Sequence, residues 1–367
     1  MRNLFVRALL AGFLLHTAGS AQVSVYVSLD EPISKGVLDD FQAETGIQVL
    51  GQWDVEANKT IGMVNRIIAE KDRPRCDVYW NNEVAQTIRL KNLGLLEAYR
   101  SPSAQGIPEG FKDPDGFWTG FAARARVIIY NKELIGDETP PKGLMDLVDP
   151  RWKGRIAMAK PLTGTTLTHF AALFSVWGET RTQAFVERLL AAGIQWQAGN
   201  AMVMREVGRG AFVWGYTDTD DANVSRMKGH PTGIILPDQD EGEMGTLVIP
   251  NSVALIKGAP HAEAARKLID YLLSPRVEER LASGRSAQIP LRPGLEPPAH
   301  LKGIRPMAVD WEDVGRQLET YAPWLKRRFD RARGGTVGEK SRWAIWVGLL
   351  AIAAVALIGF ARRRGSE

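Results

Sequence analysis

Apolar residues along the first hundred positions alternate between two periods. Val23-Ser24-Val25-Tyr26-Val27-Ser28 repeats every second residue and predicts a strand, whereas Ile33, Val37, Leu38 and Phe41 share one face of a helix over 33–43. The pair recurs: Ile47 to Leu50 predicts a second strand, Ile61, Val64, Ile67 and Ile68 a helix over 59–71, and Cys76 to Trp80 a third strand. Thr45-Gly46 and Arg73-Pro74 stop the helices. Strand and helix in alternation predict an α/β chain with mainly parallel sheets. Ligands of such sheets bind beyond the carboxyl ends of strands. Two strand ends here are polar: Ser28-Leu29-Asp30-Glu31 and Asn81-Asn82-Glu83.

Past a Pro/Gly-rich stretch over 101–116, Phe117 to Asn131 ends in a long strand with Arg124 and Arg126 on one face. Those arginines suit either pairing with acidic groups or clamping a ligand across a cleft. Arg155 to Ala159 predicts another strand, which leads through Pro161-Leu162-Thr163-Gly164-Thr165-Thr166 into a helix from Leu167 to Trp177. A helix start rich in hydroxyls and glycine is either an N-cap or an anion seat made of free backbone N–H groups. After a helix over 183–192 and a further helix start from Gly199 through Asn200, the strand Ala211-Phe212-Val213-Trp214 runs into Gly215-Tyr216-Thr217-Asp218-Thr219-Asp220-Asp221. Carboxylates this close repel one another and cost free energy if buried unpaired, so the loop is expected to be solvated or to hold something positive. A strand over 245–256 echoes the one through Tyr130, and the two predict a two-stranded hinge between lobes: 22–125 with about 253–320, and 126–252. A helical pattern over 261–283 closes the body.

Charge and hydropathy at the two ends change the picture. Residues 1–21 have a basic head, an apolar run from Ala8 to Leu15 and small residues at Ala18 to Ala21, the pattern of a cleaved secretory signal. Residues 343–361 are uncharged and long enough to cross a bilayer as a helix, with Arg362-Arg363-Arg364 behind them in a cytoplasmic tail, 362–367. A basic juxtamembrane linker is expected over 321–342. The formal net charge of +4 hides this division: residues 1–21 contribute +2 and 322–367 contribute +7, leaving about −5 on the body. The basic surface therefore faces anionic lipid rather than nucleic acid. The single cysteine, Cys76, excludes an internal disulfide and a multi-cysteine metal site.

The order of elements, with Val248-Ile249-Pro250-Asn251-Ser252-Val253-Ala254-Leu255-Ile256-Lys257, Ala259 to Ala265, Leu268 to Pro275 and Asp146 to Gly154, resembles the type II extracytoplasmic solute-binding proteins of ABC importers (family 1). The branch is that of the ferric-ion-binding proteins, and the resemblance runs from Val23 to about Pro293. It implies a two-lobed periplasmic-binding-protein-like fold that closes on a solute without chemistry, served by an ABC permease in the same membrane. By position it implies ligand contacts from Asp30, Glu31, Asn81 and Glu83 in the first lobe. In the second it implies an anion site at Thr163, Gly164, Thr165, Thr166 and Asn200, and a metal-binding loop over Gly215–Asp221, with Tyr216, Thr217 and Asp218 as ligand residues; Arg124 is the candidate clamp. Ferric binders of this family use two adjacent tyrosines, and this chain has no Tyr-Tyr pair. Hard oxygen ligands are left to Glu83, Tyr216, Asp218 and Asp220.

The expected solute is a metal cation such as Fe(III), carried as cargo with a companion anion and with no resident cofactor. A small zwitterion such as an aminophosphonate, or a polyamine, is the alternative. Two other classes remain open. A membrane-attached sensor would need a partner to read it, since 362–367 is too short to signal. A hydrolase using Glu83, Asp218 and Asp220 as acid and base would lack any accompanying nucleophile motif.

Overall fold

The computed structural model describes residues 21–54 and 60–332. The expected signal peptide, apart from Ala21, and the expected span 343–361 lie outside the described residues, among which no helix is long and apolar enough to cross a membrane. In chain order the strands and helices are β1 (Gln22–Val27), α1 (Glu31–Thr45), β2 (Gln48–Trp53), α2 (Ile61–Ala69), β3 (Val78–Asn81), α3 (Ala85–Asn92), β4 (Leu96–Glu97) and β5 (Thr119–Asn131). There follow α4 (Lys132–Ile135), β6 (Ile156–Ala159), α5 (Gly164–Trp177), α6 (Glu179–Ala191), β7 (Gln195–Gln197), α7 (Asn200–Gly208), β8 (Trp214–Asp218), α8 (Thr219–Met227) and β9 (Thr232–Ile235). The chain continues through β10 (Val248–Ile256), α9 (Ala262–Leu272) and α10 (Pro275–Ser283) to α11, residues 311–332.

The alternating pattern at the start folds as the sequence predicts. Val23, Val25 and Val27 of β1 pack in one core with Val37, Leu38 and Phe41 of α1. Tyr26 turns the other way, into a core with Met63, Val64 and Ile67 of α2. A strand buried on both faces pairs in parallel, as β1 does with β2 and β3. Gly46, at φ 69°, ends α1 in the left-handed conformation that a Cβ disfavours.

The strand order is β2-β1-β3-β10-β5-β8-β6-β7, with β4 on β10 and β9 on β5. One expectation needs correcting. The outer strands are parallel, but the centre is antiparallel: β10 runs against β3 and β5, and β5 runs against β8 and β9. The alternation rule reports only strands joined by a crossover helix, and the two long strands do not obey it. β5 belongs to both halves of the sheet, pairing through Ala125 with β10 and from Arg126 onward with β8. Its register slips opposite Pro250 and Asn251, where Ala122 takes a φ of 37°. That bend lies two residues before Arg124.

Of the expected linker over 321–342, residues 321–332 are helical, as part of α11, and 333–342 lie outside the described residues. The reason is a stripe of aromatic side chains. Tyr321 stacks on Phe174 of α5 with ring centroids 3.8 Å apart, Trp324 meets the same ring edge-on, and Phe329 packs edge-on against Trp196 of β7. The start of α11 faces the other half: Glu312 pairs with Lys91, and Gly315 abuts Ile88 of α3. This one helix therefore straps both halves of the sheet.

Candidate functional site

Alternation along β8 places Trp214, Tyr216 and Asp218 on one face, beneath α5, and Thr217 on the other. Only Asp218, at the strand's end, reaches a cavity. Tyr216 is buried in the core with its ring 5.5 Å from that of His169 and 5.3 Å from the Arg126 guanidinium. Burial, and next the charge of Asp238, push its phenol well above the usual tyrosine range, against the lowering effect of Arg126. Thr217 donates to the carbonyl of Asn200 and to Asp221. Neither Tyr216 nor Thr217 lines the cavity. Against the expectation of a metal ligand, the Tyr216 side chain is packed in the core and does not line the cavity.

The cavity, of about 30 Å³, is lined by Asn82, Arg124, Thr163–Thr166, Ala159, Ala198–Asn200, Asp218, Asp220 and Asp221. Three helices begin at its wall: α5, α7 and α8. None of the three has a side-chain hydrogen bond at its N-cap. Each start presents N–H groups and the positive end of a helix dipole. Thr163, Gly164, Thr165, Thr166 and Asn200 thus come together as the sequence suggests.

The carboxylates beside them are already answered. Asp218 accepts from Arg126 at 2.5 Å, Thr165 at 2.6 Å and Asn200 at 3.0 Å. Asp220 accepts from Arg124 at 2.7 Å, and Arg124 also donates to the carbonyl of Asn82 at 2.8 Å, joining the two sides of the cleft. Burial pushes the Asp218 carboxyl up, but Arg126 and Arg124 outweigh it and hold the pKa below the usual range. Burial likewise opposes the charge on Arg124, and Asp220 and Asp218 outweigh it, raising its pKa. Oxygens of Asp218, Asp220 and Asp221 lie within 4.8 Å of one another, close enough to share a cation. With two guanidiniums among the three carboxylates, the cluster's own charge is only about one negative. The Nε atoms of Arg124 and Arg126 find no hydrogen-bond partner among the described residues.

On the other side of the cleft Glu83 is wholly buried. It accepts from the backbone N–H groups of Ala85 and Gln86, from Asn81, and from Thr168 of α5 at 2.8 Å. Burial raises its pKa, partly offset by those donors. Its oxygens cap α3 and bind the two halves together, which corrects its expected role as metal ligand and as a hydrolytic acid. Asn81 is turned to Glu83 and Thr87, away from the cavity. Asp30 and Glu31 are exposed at the start of α1 and do not line it, although Asp30 helps to stabilise the Arg124 charge.

Asn82 and Asp221, which lie within the expected ligand loops, line the cavity, as do Ala159, Ala198 and Gly199, which were not singled out as ligand residues. Arg126 was legible only as the partner of Arg124 on a strand face. Nearby His169 has both ring nitrogens unpartnered among the described residues, and burial together with Arg126 lowers its pKa to about 3, so it is neutral.

Comparison with known proteins gives the same architecture. The profile of the bacterial extracellular solute-binding protein family matches residues 86–315, more than half of the chain. "Iron uptake protein A1" of Synechocystis is 29% identical over 281 residues, 72% of this chain and 75% of that protein. A "Putative 2-aminoethylphosphonate-binding periplasmic protein" of Salmonella typhi is 26% identical, covering 78% of this chain and 85% of its own. The crystal structure of iron-bound HitA from Pseudomonas aeruginosa superposes with a TM-score of 0.75 at 25% identity, over 84% of this chain and 99% of HitA.

Proposed function

The chain belongs to the bacterial extracellular solute-binding protein family, and we propose on that basis that it is the receptor of an ABC-type importer, binding a solute that carries an anionic group. The observation behind this reading is the cavity where three helices without side-chain caps begin beside Arg124. Convergent N–H groups and a guanidinium recognise phosphate, phosphonate or carboxylate oxygens. The solute we assign is Fe(III) with a companion anion, in keeping with the iron named for the Synechocystis relative and for the Pseudomonas structure. The anion would sit at Thr163–Thr166 and Asn200, and the iron between it and the Asp220–Asp221 side, without Tyr216 or Glu83. Iron is cargo here, and the role is binding rather than turnover. The segment 343–361 would anchor the receptor beside its permease, with the body on the extracytoplasmic side.

A second reading has one observation in its favour: the three aspartates outnumber the two arginines. A zwitterion such as 2-aminoethylphosphonate, named for the Salmonella relative, would place its phosphonate at the helix starts and its amine toward Asp221. A polyamine is not retained, because helix N-termini repel a ligand without an anionic end.

Thermal unfolding of the metal-stripped protein separates the readings. Fe(III), citrate, phosphate and 2-aminoethylphosphonate are offered singly, and iron is then offered with each anion. A ligand at a hundredfold excess over its Kd adds about 2.7 kcal/mol of stability. The iron reading expects that gain only from iron with an anion. A gain from the phosphonate alone selects the zwitterion, and silence from every combination sinks both.

A further inference from the structure

The cavity at the helix starts shares a wall with a larger one. Its own volume of about 30 Å³ admits a head group or an ion and falls far below the ~300–1,000 Å³ typical of small-molecule sites. Thr163 also lines a groove of about 680 Å³ between α2, α3, α5 and α11. Ile61, Leu93, Leu162, Leu167, Leu318 and Pro323 contribute its apolar surface, with Arg89 and Lys326 also in the lining. Leu93 is 50% exposed there. A lone exposed leucine needs no explanation, but a contiguous apolar surface that adjoins a polar cavity does.

We infer that the anion held at the helix starts is the head of an amphipathic organic acid, whose apolar body lies in this groove. The inference rests on the anion seat proposed above and adds the class of acid that fills it. Thr163 lines both cavities, so the groove lies directly beside the anion seat. Helices from both halves of the sheet and the strap helix α11 wall the groove. Arg89 and Lys326 outnumber Glu319 in the lining, a balance that suits a ligand of net negative charge.

Calorimetric titration of the full chain in detergent, with and without equimolar Fe(III), tests this with inorganic phosphate and the linear alkylphosphonates from methyl to hexyl. Burial of each methylene is expected to tighten binding about fourfold until the groove is filled. Leu93→Glu, at a half-exposed position that tolerates a polar side chain, is expected to flatten the series while leaving phosphate affinity within twofold. If affinity does not change with chain length although phosphate binds, the groove holds no part of the ligand and the inference falls, while the anion seat stands. If neither phosphate nor any alkylphosphonate binds, with or without iron, the seat itself is wrong and the inference falls with it.

Discussion

The ends of β3 and β8 both carry carboxylates, and they dispose of them in opposite ways. Glu83 turns back on its own chain, where the N–H groups of Ala85 and Gln86 take its oxygens, and burial raises its pKa. Asp218 turns across the sheet to Arg126, and the guanidiniums lower its pKa in spite of burial. One carboxylate is held by hydrogen bonds that tolerate a neutral group, the other by a charge that does not. A carboxylate at a strand end is thus not by itself an available ligand; what it already accepts decides that.

Breaking the charged side should have the larger effect. Arg126→Met leaves Asp218 buried without its main counter-charge and is expected to cost about 3–5 kcal/mol in denaturant unfolding. A loss below about 1 kcal/mol would mean that Asp218 is solvated instead. Glu83→Gln keeps the shape and one acceptor oxygen, and a loss of about 1–2 kcal/mol is expected.

The two sites should also respond to pH with opposite signs. The folded pKa of Asp218 is depressed, so its stabilisation is present above the usual aspartate range and disappears as pH falls through the depressed value. The deficit of Asp218→Asn should therefore shrink on acidification. The folded pKa of Glu83 is raised, so its stabilisation is present below the usual glutamate range and is lost as pH rises through the raised value. The deficit of Glu83→Gln should shrink as pH rises. Unfolding curves for both variants at several pH values check this, and parallel profiles would erase the distinction.

A smaller change tests the strap across the two regions. Tyr321→Ala removes the stack on Phe174, worth about 0.5–1.5 kcal/mol beyond area burial. Hydrogen exchange should show the end of α11 loosening while the Lys91–Glu312 contact at its start stays protected. Uniform exchange along α11 would argue against separate attachment to the two halves.

Much of the architecture was legible because periodicity reports directly on burial. β1, α1 and α2 followed from their apolar spacing, and the helix start at Thr163–Thr166 from its hydroxyls. The antiparallel centre was not legible, since strand direction depends on contacts far apart in sequence. The continuation of α11 through 332 was written in Tyr321, Trp324 and Phe329, but the basic residues around them pointed to a membrane-facing linker. Within the site, residue types were readable and their availability was not. Tyr216 and Asp218 are two positions apart on one strand, yet only the fold shows that one lies in the core under His169 and the other at the cavity wall. Arg124 and Arg126 were visible as a pair, while which aspartate each would meet depended on the register of β5 against β8.

The most direct test of the central claim is a calorimetric titration of metal-stripped protein with Fe(III), with citrate and with both, on the wild type and on Tyr216→Phe. Binding is expected only when the anion accompanies the iron, with the same affinity, within about twofold, in the two proteins. Tight binding of Fe(III) without citrate that disappears in Tyr216→Phe would contradict the account, placing the phenol on the metal and removing the anion seat from the centre of the site.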